Sequence, residues 1–238
     1  MLEYLKNKRI LVVVAHPDDE VIGIGGSIYS LVNRHGCRVR CVILGEGITS
    51  RDEIRDLQSS KDKLSIHKKN ILEAKKIIGY QELSTYQFPD NRFDEISLLD
   101  LIKTVEKEKE IFQPDIILTH HGGDLNIDHQ KTFEATITAC RPLEKEHVEA
   151  IITFETYSGT EWQASSDPRR FIPNLYFSLS QEDINQKIKA MGCYEFEKRS
   201  FPHPRSSKAL KLVAERYGVL VGNYYAEPFS LIRMISKL

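Results

Sequence analysis

Ile10-Leu11-Val12-Val13-Val14 runs directly into Ala15-His16-Pro17-Asp18-Asp19-Glu20. An unbroken run of β-branched and aliphatic residues is apolar on both faces of the strand it forms, so it reads as a strand buried within a parallel sheet. The proline ends that strand and leaves an imidazole and three carboxylates in the loop at its carboxyl end, where open α/β sheets hold their ligands. His16 and Asp19 stand three apart on a turn, so a ring nitrogen and a carboxylate oxygen can converge on one cation, and Asp18 is left to handle a proton. The donor types point to a metal site, most simply zinc, with other divalent ions open to a His/Asp set. A loop that only capped the following helix would have little reason to place three acids and a histidine behind a buried strand.

Around this stretch, composition narrows the field. The chain has 238 residues, 41% of them hydrophobic, enough for a single domain with a two-sided sheet and a sizeable core. Thirty-three basic and 34 acidic residues give a formal charge of −1 and are mixed along the chain. With no basic stripe, nucleic acid is excluded as an expected partner. The four cysteines form no C-x-x-C pair and read as free thiols of a reducing compartment. Lys6, Lys8 and Arg9 before an apolar run imitate a signal peptide, but the run ends at Ala15, too short for a secretory core or a membrane span. A cytoplasmic protein without a membrane span is the expectation.

Strands and helices alternate along the rest of the chain. Helices are expected over residues 24–35, 61–78, 96–112, 130–140, 181–191 and 207–217, and strands over 38–44, 84–88, 115–119, 150–156 and 175–179. Repeated βα units predict an α/β fold with three layers and a mostly parallel sheet. Gly23-Ile24-Gly25-Gly26 invites a dinucleotide fingerprint, yet Ile28 stands where the third glycine belongs, and close packing of helix on strand accounts for these glycines better. Residues 49–60 read as a loop or short helical lid, and residues 158–173 as a long loop carrying the single tryptophan, Trp162. His35, His67 and His147 lie in charged stretches and are expected to be exposed. The aromatic-rich C-terminal segment would suit a subunit interface, so a homo-oligomer is compatible with the sequence.

A second loaded loop, His120-His121-Gly122-Gly123-Asp124-Leu125-Asn126-Ile127-Asp128-His129, follows the strand at 115–119. Residues 15–20 together with Asp128-His129 opening a helix resemble the LmbE/PIG-L family of zinc-dependent N-deacetylases, bacterial branch. Pro89-Asp90, Pro204-Arg205-Ser206 and Tyr225-Ala226-Glu227 extend the resemblance over nearly the whole chain. The resemblance implies a Rossmann-like fold with zinc held by His16, Asp19 and His129. It implies hydrolysis of an acetamide on a small-molecule amino sugar or sugar conjugate, free, nucleotide-linked or glycosidic; a deformylase, a thiol-conjugate amidase and a non-catalytic sugar-binding protein are the alternatives. Two histidines and a carboxylate leave a position for water on zinc, whose pKa drops to about 7, and Asp18 is the expected general base.

The sequence departs from the family at Asn126, where many relatives carry a histidine. An amide can donate to an oxyanion but cannot become a cation, so His203, beside Arg205 in a Pro-rich loop, and His121 are candidates for a protonatable imidazole. Arg51, Asp90 and Arg205 are the candidate substrate-binding residues, the first for a hydroxyl or phosphate and Asp90 for sugar hydroxyls.

Overall fold

The computed structural model describes residues 2–51, 55–144 and 146–236. Strand β1 (Arg9–Val14) is apolar on both faces and is covered on both. Ile10, Val12 and Val14 enter a core shared with helices α2 (Asp19–His35), α3 (Lys61–Ile78) and α6 (Gln181–Met191). Leu11, Val13 and Ala15 enter a second core against α4 (Leu98–Phe112) and α5 (Ile127–Ala139). Alternation of side chains along one strand thereby builds the three layers.

The sheet has seven strands. Besides β1 these are β2 (Arg38–Gly45), β3 (Glu82–Phe88), β4 (Ile116–His120), β5 (Ala150–Phe154), β6 (Leu175–Leu179) and β7 (Tyr225–Met234). Their order is β3-β2-β1-β4-β5-β7-β6. The first five run parallel, and β7 is antiparallel to both β5 and β6. Ile10 sits opposite Val39 on one side and Ile116 on the other, so winding reverses between β1 and β4. The loops after those two strands therefore open side by side at the carboxyl edge of the sheet. Helix α1 (Leu2–Leu5) and helix α7 (Ser207–Leu220) complete the fold. Among the described residues no helix is long and apolar enough to cross a membrane.

Three elements differ from the sequence expectation. Helix α2 begins at Asp19 rather than Ile24, and Ile24 instead holds a non-helical φ of −136° that kinks it. Helix α5 begins at Ile127, which puts His129 in its first turn. Strand β7 was not anticipated, because Pro228 interrupts its pattern, yet that proline pairs opposite Tyr176 within the sheet. A side chain on Gly23 would overlap the Phe154 ring, and one on Gly26 would come within 2.8 Å of Leu179 Cδ1, so these glycines let α2 lie close on the sheet.

The kink in α2 is mended by a buried ion pair. Lys187 on α6 and Glu227 on β7 are 2.6 Å apart and almost wholly shielded from solvent. The Lys187 ammonium reaches the Gly23 carbonyl (3.4 Å), and the Glu227 carboxylate accepts from the N–H groups of Gly26 (3.2 Å) and Ser27 (2.8 Å). Backbone groups released by the kink thus find charged partners instead of remaining unpaired. Lys187→Met, which leaves the Glu227 charge buried and alone, is expected to destabilise the protein by about 3–5 kcal/mol in urea titrations. Adding Glu227→Gln should recover part of that loss, because the amide oxygen still accepts from Ser27.

Candidate metal and catalytic site

The loop after β1 delivers its side chains through one strained residue. Asp18 has φ +98°, in the left-handed region that costs a non-glycine residue free energy, and it stands immediately before α2. Its carbonyl accepts from Val21 N–H (2.9 Å) and Ile22 N–H (2.8 Å), and its own N–H donates to Glu20 Oε2 (3.1 Å). Glu20 is held in turn by the Tyr194 hydroxyl (2.6 Å). Desolvation, opposed by that hydroxyl, raises the Glu20 carboxyl to about 7. Glu20 thus supports the loop and the helix start from beneath.

Asp19 is the centre of the site. Its Oδ2 accepts from the His16 N–H (2.8 Å) and lies 3.6 Å from His16 Nδ1, 3.4 Å from His129 Nε2 and 3.3 Å from His120 Nε2. Its Oδ1 is buried with no hydrogen-bond partner. His16, Asp19 and His129, all buried, offer ligand atoms within 4.8 Å of one another and can hold a metal ion. The unpartnered oxygen and the two imidazole donors fit a borderline cation such as zinc.

Both histidines carry a carboxylate on their far side. His16 Nε2 is 2.8 Å from Asp128 Oδ2, and Asp128 also accepts from the N–H groups of Asn91 (2.7 Å) and Phe93 (2.8 Å). His129 Nδ1 is 3.2 Å from Asp124 Oδ2, close enough for an ion pair though not aligned as a hydrogen bond. Asp124 is fixed by Thr160 Oγ1 (2.5 Å) and Asn126 N–H (2.8 Å). A carboxylate behind each ligand imidazole sets its tautomer and orientation. A second trio, His16, Asp90 and Asp128, is also compact enough to share an ion. There Asp128 already has its backbone donors and Asp90 accepts from Ser50 N–H (3.2 Å) and Oγ (2.7 Å), whereas only the first trio contains the orphaned Asp19 oxygen.

The electrostatics follow from burial and this ring of charges. Desolvation would lower His16, but its hydrogen bonds with Asp128 and Asp19 hold it well above the usual imidazole range. His129 is likewise raised to about 9, the coulombic pull of Asp19 and Asp124 outweighing desolvation. Asp19 lies well below the carboxylate range, because His129 and His120 overcome its desolvation. Burial pushes Asp18 well above that range, with Arg205 opposing and Glu197 adding to the rise.

His120 supports rather than joins the trio. Its Nε2 accepts from Ala15 N–H (2.9 Å), which leaves the proton on Nδ1, 2.9 Å from Thr156 Oγ1. Desolvation and the neighbouring His129 lower it to about 4, and the two rings stack at 3.9 Å.

The remaining sequence candidates fall into two groups. Arg205 Nη1 lies 3.4 Å from Asp18 Oδ2, with Nε on Ser158 Oγ (2.9 Å) and an ion pair to Glu197. Arg51 pairs with the same Glu197. Asp90 Oδ1 is 3.3 Å from His16 Nε2. Farther out, Asn126 caps α5, its Oδ1 accepting from Asp128 N–H (2.8 Å) and its Nδ2 donating to Asn91 Oδ1 (2.9 Å). His203 Nδ1 accepts from Arg205 N–H (3.1 Å) and faces Trp162, while His121 Nε2 lies 2.6 Å from the Arg169 carbonyl. Sequence reading missed Asp124, Thr160 and Glu197; only Asp124, an acid within the second His/Asp loop, left a sequence signal. His67 is buried, not exposed as expected, with both ring nitrogens unpartnered.

The family model described as GlcNAc-PI de-N-acetylase, PIG-L, matches residues 11–140. The uncharacterized deacetylase YaiS of Escherichia coli K12 is 29% identical over 193 residues, covering 78% of this chain and 90% of the relative. Among solved structures, N,N'-diacetylchitobiose deacetylase from Pyrococcus horikoshii, bound to its inhibitor, superimposes with a TM-score of 0.70 at 21% identity, covering 98% of this chain and 88% of its own. GalB, the 4-carboxy-2-hydroxymuconate hydratase of Pseudomonas putida, does so with a TM-score of 0.73 at 19% identity, covering 97% of this chain and 99% of its own. One fold thus accommodates two chemistries, and the fold alone does not select between them.

Two outcomes are expected from this geometry. Asp128→Asn should weaken the binding of an added divalent metal by about 10–100-fold in competition with a chromophoric chelator, since His16 loses its orienting charge. His67, lowered by desolvation to about 4, binds a proton more readily when unfolded, so its contribution to stability is present above pH 6.5 and is lost as pH falls toward 4. Urea titrations across that window should show wild-type protein losing up to about 3 kcal/mol that His67→Phe does not lose.

Proposed function

The chain belongs to the PIG-L family of de-N-acetylases, and from that premise we propose that it hydrolyses the acetamide of an N-acetylated amino sugar or sugar conjugate, with zinc as its metal. The observation that carries this reading is the convergence of His16, Asp19 and His129 beside an Asp18 carboxylate whose Oδ2 is buried and has no hydrogen-bond partner. A metal ion bound by the trio supplies Lewis acidity toward a carbonyl oxygen and lowers the pKa of water.

The chain's own groups account for the proton transfers and the orientation. Asp18 Oδ2 takes a proton from the attacking water, whose oxygen adds to the acetyl carbon, and returns it to the amine nitrogen as the carbon–nitrogen bond breaks. The products are acetate and a free amino sugar. Arg205, 3.4 Å away, orients this carboxylate and is itself held by Glu197 and Ser158. The Asn126 amide keeps one N–H beyond its bond to Asn91, which can donate to the oxygen of the tetrahedral intermediate. Asp90, beside His16, and Arg51, beside Glu197, receive substrate hydroxyls in this reading, and His203 stands beside Trp162.

Purified protein screened for acetate and amine release over N-acetylated sugars and nucleotide sugars, alongside metal analysis, tests the reading; release of formate or a larger acid would reassign the acyl group. Asp18→Asn should lower kcat by about 100- to 10,000-fold, the range of a general base, with metal content unchanged. Undiminished turnover in that variant would remove Asp18 from the reaction.

A further inference from the structure

Trp162 is the only tryptophan in the chain, and 53% of its surface is exposed. The loop that carries it is nevertheless firmly held. Thr160 Oγ1 donates to Asp124 Oδ2 (2.5 Å) and accepts from Thr156 N–H (2.7 Å). The Glu161 carboxylate turns back to accept from the N–H groups of Ser158 (2.7 Å) and Gly159 (3.3 Å). A bulky apolar ring on an anchored loop, with half its surface left to water, is not a loose end of the fold.

The ring beside it is tied to the same site. His203 meets the indole edge-on, with centroids 6.0 Å apart at 80°. Its Nδ1 accepts from Arg205 N–H, so the neutral imidazole carries its proton on Nε2 as a free donor. Arg205 reaches both Ser158 Oγ and Asp18 Oδ2. The indole is therefore linked to the trio through Thr160 and Asp124, and the imidazole through Arg205 and Asp18. A pyranose ring matches this pair: its axial C–H face is apolar and its hydroxyls lie at the edge.

We propose that Trp162 and His203 form a subsite for a second pyranose unit joined to the N-acetylated one, the indole stacking on its face and His203 Nε2 donating to one of its hydroxyls. The proposal rests on the sugar-deacetylase reading above and adds that a two-ring substrate is preferred over a single sugar.

The single tryptophan makes this testable without turnover. Indole emission is titrated with N,N'-diacetylchitobiose and with N-acetylglucosamine in the Asp18→Asn background, and kcat/KM for both sugars is measured in wild type, Trp162→Ala and Trp162→Phe. A saturable emission change with the disaccharide alone is expected. The disaccharide-to-monosaccharide ratio of kcat/KM should fall about five- to tenfold in Trp162→Ala and be largely restored in Trp162→Phe. Constant emission with a disaccharide that wild type deacetylates, or an unchanged ratio in Trp162→Ala, overturns the subsite and leaves the reaction standing. An emission response in a protein that releases no acetate keeps the subsite and overturns the reaction; neither response nor acetate overturns both.

Discussion

One oxygen, Asp19 Oδ2, is where the architecture meets. Nitrogens of three imidazoles lie 3.3–3.6 Å from it, and they come from β1's loop, the end of β4 and the first turn of α5. That convergence requires β1 and β4 to be neighbours, which the reversal of winding supplies. It also requires both strands to be fully buried, since otherwise water would loosen the cluster and weaken every charge interaction within it. The apolar run before the loop is thus a precondition of the chemistry as well as of the sheet.

Holding such a cluster has structural consequences that spread outward. Asp18 takes a left-handed backbone conformation, α2 kinks one turn later, and the released backbone groups are satisfied by Lys187 and Glu227. Those two residues come from α6 and β7, so the C-terminal part of the chain stabilises the kinked helix that follows its first loop. Replacing such a pair with apolar residues of similar volume is often neutral elsewhere, but here it would also orphan the backbone groups of Gly23, Gly26 and Ser27.

How much of this was legible in the sequence depends on whether the signal was local. The strand at Ile10, the helices over Lys61–Ile78 and Gln181–Met191 and the strand Leu175–Leu179 could be read because periodicity and glycine stops act within a few residues. The extent of α2 could not be read, because its continuation past the kink at Ile24 depends on Glu227, some two hundred residues away. His67 looks solvated among lysines, yet helix α3 turns it toward Tyr194 and Phe196. Asp124 sits in the same loop as His129 and so left a local signal, whereas Glu197 joins Arg205 to the distant Arg51, and no spacing rule identifies it. Glu227, part of the Tyr225-Ala226-Glu227 stretch that extends the family resemblance, is buried within the core on Lys187.

Asn126 shows how one position redistributes the chemistry. Its oxygen closes the amino end of α5 and its nitrogen reaches Asn91, so it is first a structural cap with one N–H to spare. An amide neither gains nor releases a proton near neutral pH, and the Arg205 guanidinium remains protonated throughout. His203 accepts from the Arg205 backbone through Nδ1 and stands beside Trp162, and desolvation and the Arg205 charge hold it below the usual imidazole range. Asp18, outside the ligand trio, then has a carboxylate oxygen without a hydrogen-bond partner that can both accept and return a proton. In the proposed reaction the proton removed from water is consequently the one delivered to the leaving nitrogen, and its transfer depends on a single buried carboxylate whose position is set by strain on one side and by Arg205 on the other.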